Sequence, residues 1–132
     1  EDAGMIIHAH TKKAMAVSVR KIREVPCLVE EMSQLIGGGI PITPQYVPAE
    51  QHFQLGTAAA ENIGNRNGVI LRNHGPVAVG RNTEEAVLMV EVIEKACEIF
   101  LDQGQMFYAP IPQCYIDSER YRYLYKYGNE NT

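Results

Sequence analysis

The apolar positions along this chain of 132 residues fall into runs whose period alternates between two and about 3.6. The first run, Gly4 to His10, contains Met5-Ile6-Ile7-His8-Ala9-His10 and predicts a buried strand with histidines at i and i+2. Side chains two apart on a strand point to the same face, about 6–7 Å apart along it. Thr11 is placed to cap a helix over Lys12 to Arg20, where Ala14, Met15, Val17 and Ser18 give a weak amphipathic pattern. Lys12 and Lys13 carry the wrong sign for a helix start, so they are either solvated or available to an anionic ligand. Pro26 to Val29 predicts a short strand. Glu30 to Ile36 predicts one or two helical turns, stopped by Gly37-Gly38-Gly39. Those glycines could offer backbone N–H groups to a phosphate, but no Lys-Ser/Thr follows, so they form no P-loop. Ile40 to Pro44 runs extended, because each proline moves its predecessor out of the helical region.

The period then lengthens. Ala49 to Ile63 predicts a helix with Pro48 near its start, Gly64-Asn65 at its end, and Phe53, Leu55, Ala59, Ala60 and Ile63 on its buried side. His52 has no histidine at i±3 or i±4 and reads as a surface or packing residue. After a turn at Asn65 to Gly68, strands at Val69 to Asn73 and Val77 to Val79 flank the bend His74-Gly75-Pro76, giving a hairpin-like pair with a histidine at its tip. Asn82 or Thr83 caps the longest helix. Glu84 and Glu85 stand in its first turn, and Ala86, Val90, Ile93, Cys97 and Phe100-Leu101 form its core stripe; Gly104 ends it. Residues 105–132 read as a C-terminal arm. There Pro110-Ile111-Pro112 is extended, and Tyr121, Tyr123, Tyr125 and Tyr127 alternate as on a strand with one aromatic face, or as on an arm packed against a neighbouring subunit.

Length fits a single domain spanning 1–132 with a real core, and a 45% apolar, 21% charged composition is that of a soluble globular protein. No apolar run approaches the ~18 residues of a membrane helix. The net charge of −4 and the lack of a basic stripe argue against nucleic acid as the main partner. Cys27, Cys97 and Cys114 are odd in number and widely spaced, which suits reduced thiols and a cytoplasmic location. The acidic start, Glu1-Asp2, is not that of a signal peptide. A chain that opens without Met, a few residues from an apolar strand, is expected to be a piece of a longer protein.

The chemistry rests on three histidines. If the strands at 4–10 and 69–73 are neighbours, His74 closes a site with His8 and His10, and three imidazoles with an open position suit a catalytic divalent metal. Such an ion polarises a carbonyl or holds a developing oxyanion; Zn²⁺ suits neutral imidazole best, and Mn²⁺, Co²⁺ or Fe²⁺ could bind the same set. The plainer alternative is a stable α/β domain whose histidines satisfy core hydrogen bonds.

Asp2-Ala3-Gly4-Met5-Ile6-Ile7-His8-Ala9-His10-Thr11, then Leu71-Arg72-Asn73-His74-Gly75, Val79-Gly80 and the helix from Thr83-Glu84-Glu85-Ala86 through Glu91, Glu94 and Ala96, resemble the class II aldolase/adducin family over about residues 2–103. The resemblance implies a three-layer α/β/α fold around a mixed, largely antiparallel central sheet, with the N-terminal part of the domain missing here. It also implies a divalent metal, usually Zn²⁺, on His8, His10 and His74, and a homotetramer with sites at subunit interfaces. The reaction it implies is cleavage of a ketose phosphate to dihydroxyacetone phosphate and an aldehyde through a metal-stabilised enediolate. A sugar-phosphate 4-epimerase or dehydratase of the same family is the alternative, as is a non-enzymatic adducin-like binding module; modules of that kind lack the metal histidines, and all three are present here. The family's acidic base and its main phosphate-binding residues are expected upstream of Glu1. A tyrosine lent by a neighbouring subunit assists in some members, and Tyr115, Tyr121, Tyr123, Tyr125 and Tyr127 are all candidates.

Overall fold

The structure is a computed structural model, and it describes residues 3–104 and 108–126. Its centre is a three-stranded sheet of β1 (Met5–His8), β4 (Gly68–Ile70) and β5 (Pro76–Gly80), ordered β1-β5-β4 with every pairing antiparallel. A two-stranded ribbon, β2 (Glu24–Val25) with β3 (Ile40–Pro41), flanks it, and one parallel bridge, Ile42 to Ile70, joins the two. The helices are α1 (Lys12–Ser18), α2 (His52–Ile63), α3 (Thr83–Gln103) and α4 (Gln113–Tyr125), with a π-helical turn over Met32–Ile36. Among the described residues no helix is long and apolar enough to cross a membrane.

Strand register sorts the side chains into two faces. Ile7 pairs with Ala78 and Met5 with Gly80, so these point toward α3. Ile6 pairs with Val79 and His8 with Val77, so these point toward α2. The α3 face is closely packed: a Cβ on Gly80 would meet the backbone N of Ala86 at 2.4 Å, so only glycine lets the start of α3 lie this near the sheet. Ala86, Met89, Val92, Ile93, Ala96 and Cys97 are the buried residues of α3, and all but Ala86 belong to one core with Ala14 and Val17 of α1 and Ile36 of the π-turn. Val90, Phe100 and Leu101, expected in this stripe, line its margin half-buried. Of the two expected caps of α3, Asn82 is the one used, its side chain accepting from the Glu85 N–H at 2.8 Å.

Several expectations are corrected. The first strand is an edge strand rather than a buried one, shorter than Gly4 to His10, and Ile6 is 64% exposed. Apolar content alone does not distinguish a covered strand from one whose α2-side face lines an open groove. The strand expected at Pro26 to Val29 lies two residues earlier, where Pro26, which has no N–H, ends the ladder. The pair around His74 is Gly68–Ile70 with Pro76–Gly80, because Leu71 to Gly75 form the connection. Helix α2 starts at His52 and has no buried residue; Phe53, expected inside, is 82% exposed. Its apolar side instead faces an open groove of about 440 Å³ over Ile6, Val69, Val77 and Val79.

The largest correction is the tail, where Gln113–Tyr125 is a helix instead of a strand. Alternate residues of a helix lie about 200° apart, so the tyrosines do not share a face. Tyr121 and Tyr125, four apart, lie together with ring centres 4.9 Å apart and are 56% and 60% exposed. Tyr123 turns the other way and donates to Glu85 Oε2 at 2.7 Å. The inward stripe is Ile116, Arg120 and Tyr123, the i, i+4, i+7 of a helix. Tyr127 lies outside the described residues, as do Glu1 and Asp2.

Candidate metal centre

Three backbone devices bring the histidines to one place. His8 ends β1, and His10 lies two residues on, after the Ala9 N–H has donated to Pro76 O at 3.2 Å. His74 sits in the β4–β5 connection, which closes through Leu71 N–H to Gly75 O at 2.8 Å and His74 N–H to Leu71 O at 3.0 Å. Asn73 holds the left-handed conformation there (φ 58°), which asparagine tolerates better than most residues. Gly75 lets the two segments meet: a Cβ on it would lie 2.6 Å from Ala9 O.

The outcome is a triangle of ring nitrogens. Nε2 of His8 lies 3.1 Å from that of His10 and 3.2 Å from that of His74, and the His10 and His74 atoms are 3.0 Å apart. Two imidazoles facing a shared space at these distances need a proton or a cation between them. His8 Nδ1 lies 2.9 Å from Pro76 O. A carbonyl only accepts, so His8 carries its proton on Nδ1 and turns the lone pair of Nε2 toward the other two rings. Four ligands around a tetrahedral ion at 2.0–2.1 Å stand about 3.3–3.4 Å apart, so the triangle fits a Zn²⁺-sized ion after a small outward shift. Burial, and then the neighbouring charges of His8 and His10, push the His74 pKa below its ordinary value and favour the neutral form that can ligate. His8 and His10 are exposed, so the site is open to small molecules. Among the described residues no carboxylate joins the cluster.

Two residues that the sequence did not single out for this site support its frame. Arg72 donates from its backbone N–H to Thr43 Oγ1 and from its guanidinium to the carbonyls of Thr43, Arg20 and Ile22, so the residue two before His74 is tied to the segments beneath it. Glu94 of α3 accepts from the Lys13 and Ala14 N–H groups, both at 2.9 Å. Thr11, expected to cap α1, makes no such bond, and its hydroxyl is buried without a partner among the described residues. The position of Glu94 between Val90 and Cys97 on an apolar helix stripe was the legible signal, because a carboxylate on a packed face needs donors.

His52 is exposed, as expected, and lines the α2 groove with His8. Gly37 and Gly38 lie against the side chains of Arg120 and Arg66. Arg120 donates to the carbonyls of Gln34 and Leu35 and to Asn67 Oδ1, and Arg66 donates to Gly39 O and Glu24. The Asn67 carbonyl in turn accepts from Val79 N–H, so this polar cluster sits toward the opposite end of β5 from the Val77 that pairs with His8. Cys27 and Cys97 are buried, and burial raises their thiols to about 11 and about 12, where they stay protonated and inert; Cys114 is exposed.

An α/β domain with helices on both faces of an antiparallel sheet and a histidine cluster at the sheet's end defines the class of this protein. The chain belongs to the family of the class II aldolase and adducin N-terminal domain, whose profile matches residues 1–101. It is 34% identical over 102 residues to alpha-adducin of Mus musculus, a match covering 74% of this chain and 13% of that protein. It is 26% identical over 100 residues to L-fuculose phosphate aldolase of Escherichia coli strain K12, covering 76% of this chain and 45% of the enzyme. A solved L-fuculose 1-phosphate aldolase superposes with a TM-score of 0.86 at 23% identity, over 95% of this chain and 57% of that one. The chain therefore spans about half the length of the aldolases it matches, and the fold is that of the class II aldolases.

Proposed function

We propose that this chain acts in a metal-dependent sugar-phosphate aldolase that cleaves a ketose phosphate to dihydroxyacetone phosphate and an aldehyde, and that His8, His10 and His74 hold its divalent ion. The convergence of three Nε2 atoms to 3.0–3.2 Å carries this reading. An ion bound there supplies Lewis acidity to the ketone oxygen beside the bond that breaks. Three neutral imidazoles donate lone pairs without adding negative charge, and this donor set suits Zn²⁺ ahead of Mn²⁺, Co²⁺ or Fe²⁺. The Nδ1–H of His8, bound to Pro76 O, fixes its ring plane and raises the basicity of its Nε2. The acid that moves the proton is proposed to lie outside the described residues, because none of them brings a carboxylate to the cluster. The resemblance extends the proposal to a homotetramer, which light scattering tests; the cysteine pattern extends it to a cytoplasmic location.

Metal analysis of the purified chain is the first test. About one divalent ion per chain is expected, lost in His74→Ala and in His8→Ala; a protein that takes up no Zn²⁺ overturns the reading. Turnover of ketose phosphates with detection of dihydroxyacetone phosphate then separates an aldolase from an epimerase or dehydratase at the same site. The 34% identity with mouse alpha-adducin favours a second reading, a non-enzymatic binding module. That module would fold and function without metal, so wild-type stability unchanged by chelation would select it.

A further inference from the structure

We infer that Glu94 is a positioning residue for the histidine cluster, an inference that rests on the metal reading above. The segment that carries His8 and His10 has two ends. Its start is held in the sheet by the pairing of β1 with β5. Its far end passes directly into α1, whose first residue is only two beyond His10. What fixes that end is the Glu94 carboxylate: Oε2 accepts from Lys13 N–H and Oε1 from Ala14 N–H, both at 2.9 Å. These are the second and third N–H groups of the helix, the ones that a capping side chain normally satisfies.

The local candidate for that task fails. Thr11 has extended backbone angles suited to a cap, yet its side chain makes no capping bond and its Oγ1 is buried without a partner among the described residues. The cap therefore comes from a residue 80 or more positions away. A local cap would move with α1, whereas a carboxylate on the 21-residue α3 ties the helix start to the element packed under the sheet. Glu94 also supplies the negative charge that Lys12 and Lys13 leave lacking at this helix start. His10 is the ligand nearest this joint, because it lies beyond the end of β1 and only two residues before α1.

Co²⁺ is the probe, since its visible absorption reports both affinity and ligand geometry. Glu94→Ala is expected to weaken Co²⁺ binding about tenfold or more and to change the shape of the Co²⁺ spectrum. Glu94→Gln, whose amide oxygen can still accept one N–H, is expected to fall between that variant and wild type. Ile116→Ala, on α4 and away from the cluster, serves as a control that lowers Tm with the Co²⁺ spectrum unchanged. Folded Glu94→Ala that binds Co²⁺ within twofold of wild type with an unchanged spectrum overturns the inference. If Glu94→Ala does not fold, the same criterion applies to Glu94→Gln. Wild type that binds no Co²⁺ overturns the metal reading itself and this inference with it, so the two failures are distinct.

Discussion

Single residues in this chain do work that their neighbours in sequence do not announce. Glu85 is the clearest case. Burial by itself would raise its carboxyl, but hydrogen bonds from the Arg81 side chain and backbone and from the Tyr123 hydroxyl, with the Arg81 charge, outweigh it and hold the pKa at about 2. A folded value below the ordinary 4.5 means that the carboxylate stabilises the fold above pH 4.5 and loses that contribution as pH falls toward 2. Glu85→Gln is therefore expected to be less stable than wild type at pH 7, with the deficit shrinking between pH 4.5 and 2; urea denaturation at stepped pH measures it. The three metal-candidate histidines were legible at this scale, because His-x-His on a strand and a histidine before Gly-Pro are local patterns. Their supports were not: Pro76 O acts through a carbonyl that every residue has, and Arg72 spends its charge on backbone oxygens.

At the scale of elements, α3 is the keel and α4 is the staple. Ile93 is fully buried, and its Cδ1 would lie 2.5 Å from a Cβ on Gly68, so it fills the space that this glycine leaves against β4. Ile93→Ala should cost about 2–5 kcal/mol, read from the shift of the urea midpoint at unchanged slope. Arg120 joins α4 to the π-turn through the Gln34 and Leu35 carbonyls and to Asn67. Its removal takes a charged donor away from those three acceptors in a part-buried place, so Arg120→Met should destabilise by about 1–3 kcal/mol. Hydrogen exchange should show the Ile116 and Lys126 amides losing protection first. Long elements with strong periodicity, α3 above all, were legible in the sequence. The alternating tyrosines were not, because i, i+2, i+4 is ambiguous until one knows which side chain has a partner.

Two of the places where the whole molecule ties distant stretches together bear most on the site. One is the core between α1, α3 and the sheet. The other is the histidine triangle, which joins β1 to a turn 66 residues later. An ion there would bind the folded chain and not the unfolded one, adding about 2.7 kcal/mol at a free concentration one hundred times Kd. Calorimetry with and without chelator should then show a Tm that rises with Zn²⁺ in wild type and is indifferent to it in His74→Ala.

The sequence by itself determined the order and type of most elements, the extent of α3 with Ala86, Ile93 and Cys97 on its buried side, and the identity of the three histidines. These depend on periodicity and on turn chemistry, which neighbouring residues encode. Tertiary structure alone decided which strand stood at the edge, that α2 spans a groove instead of packing tightly, that α4 is a helix, and that Glu94 rather than Thr11 completes the start of α1. Each of those depends on a partner far away in the chain. Burial, hydrogen-bond satisfaction and charge pairing are properties of what surrounds a residue, and only folding supplies the surroundings.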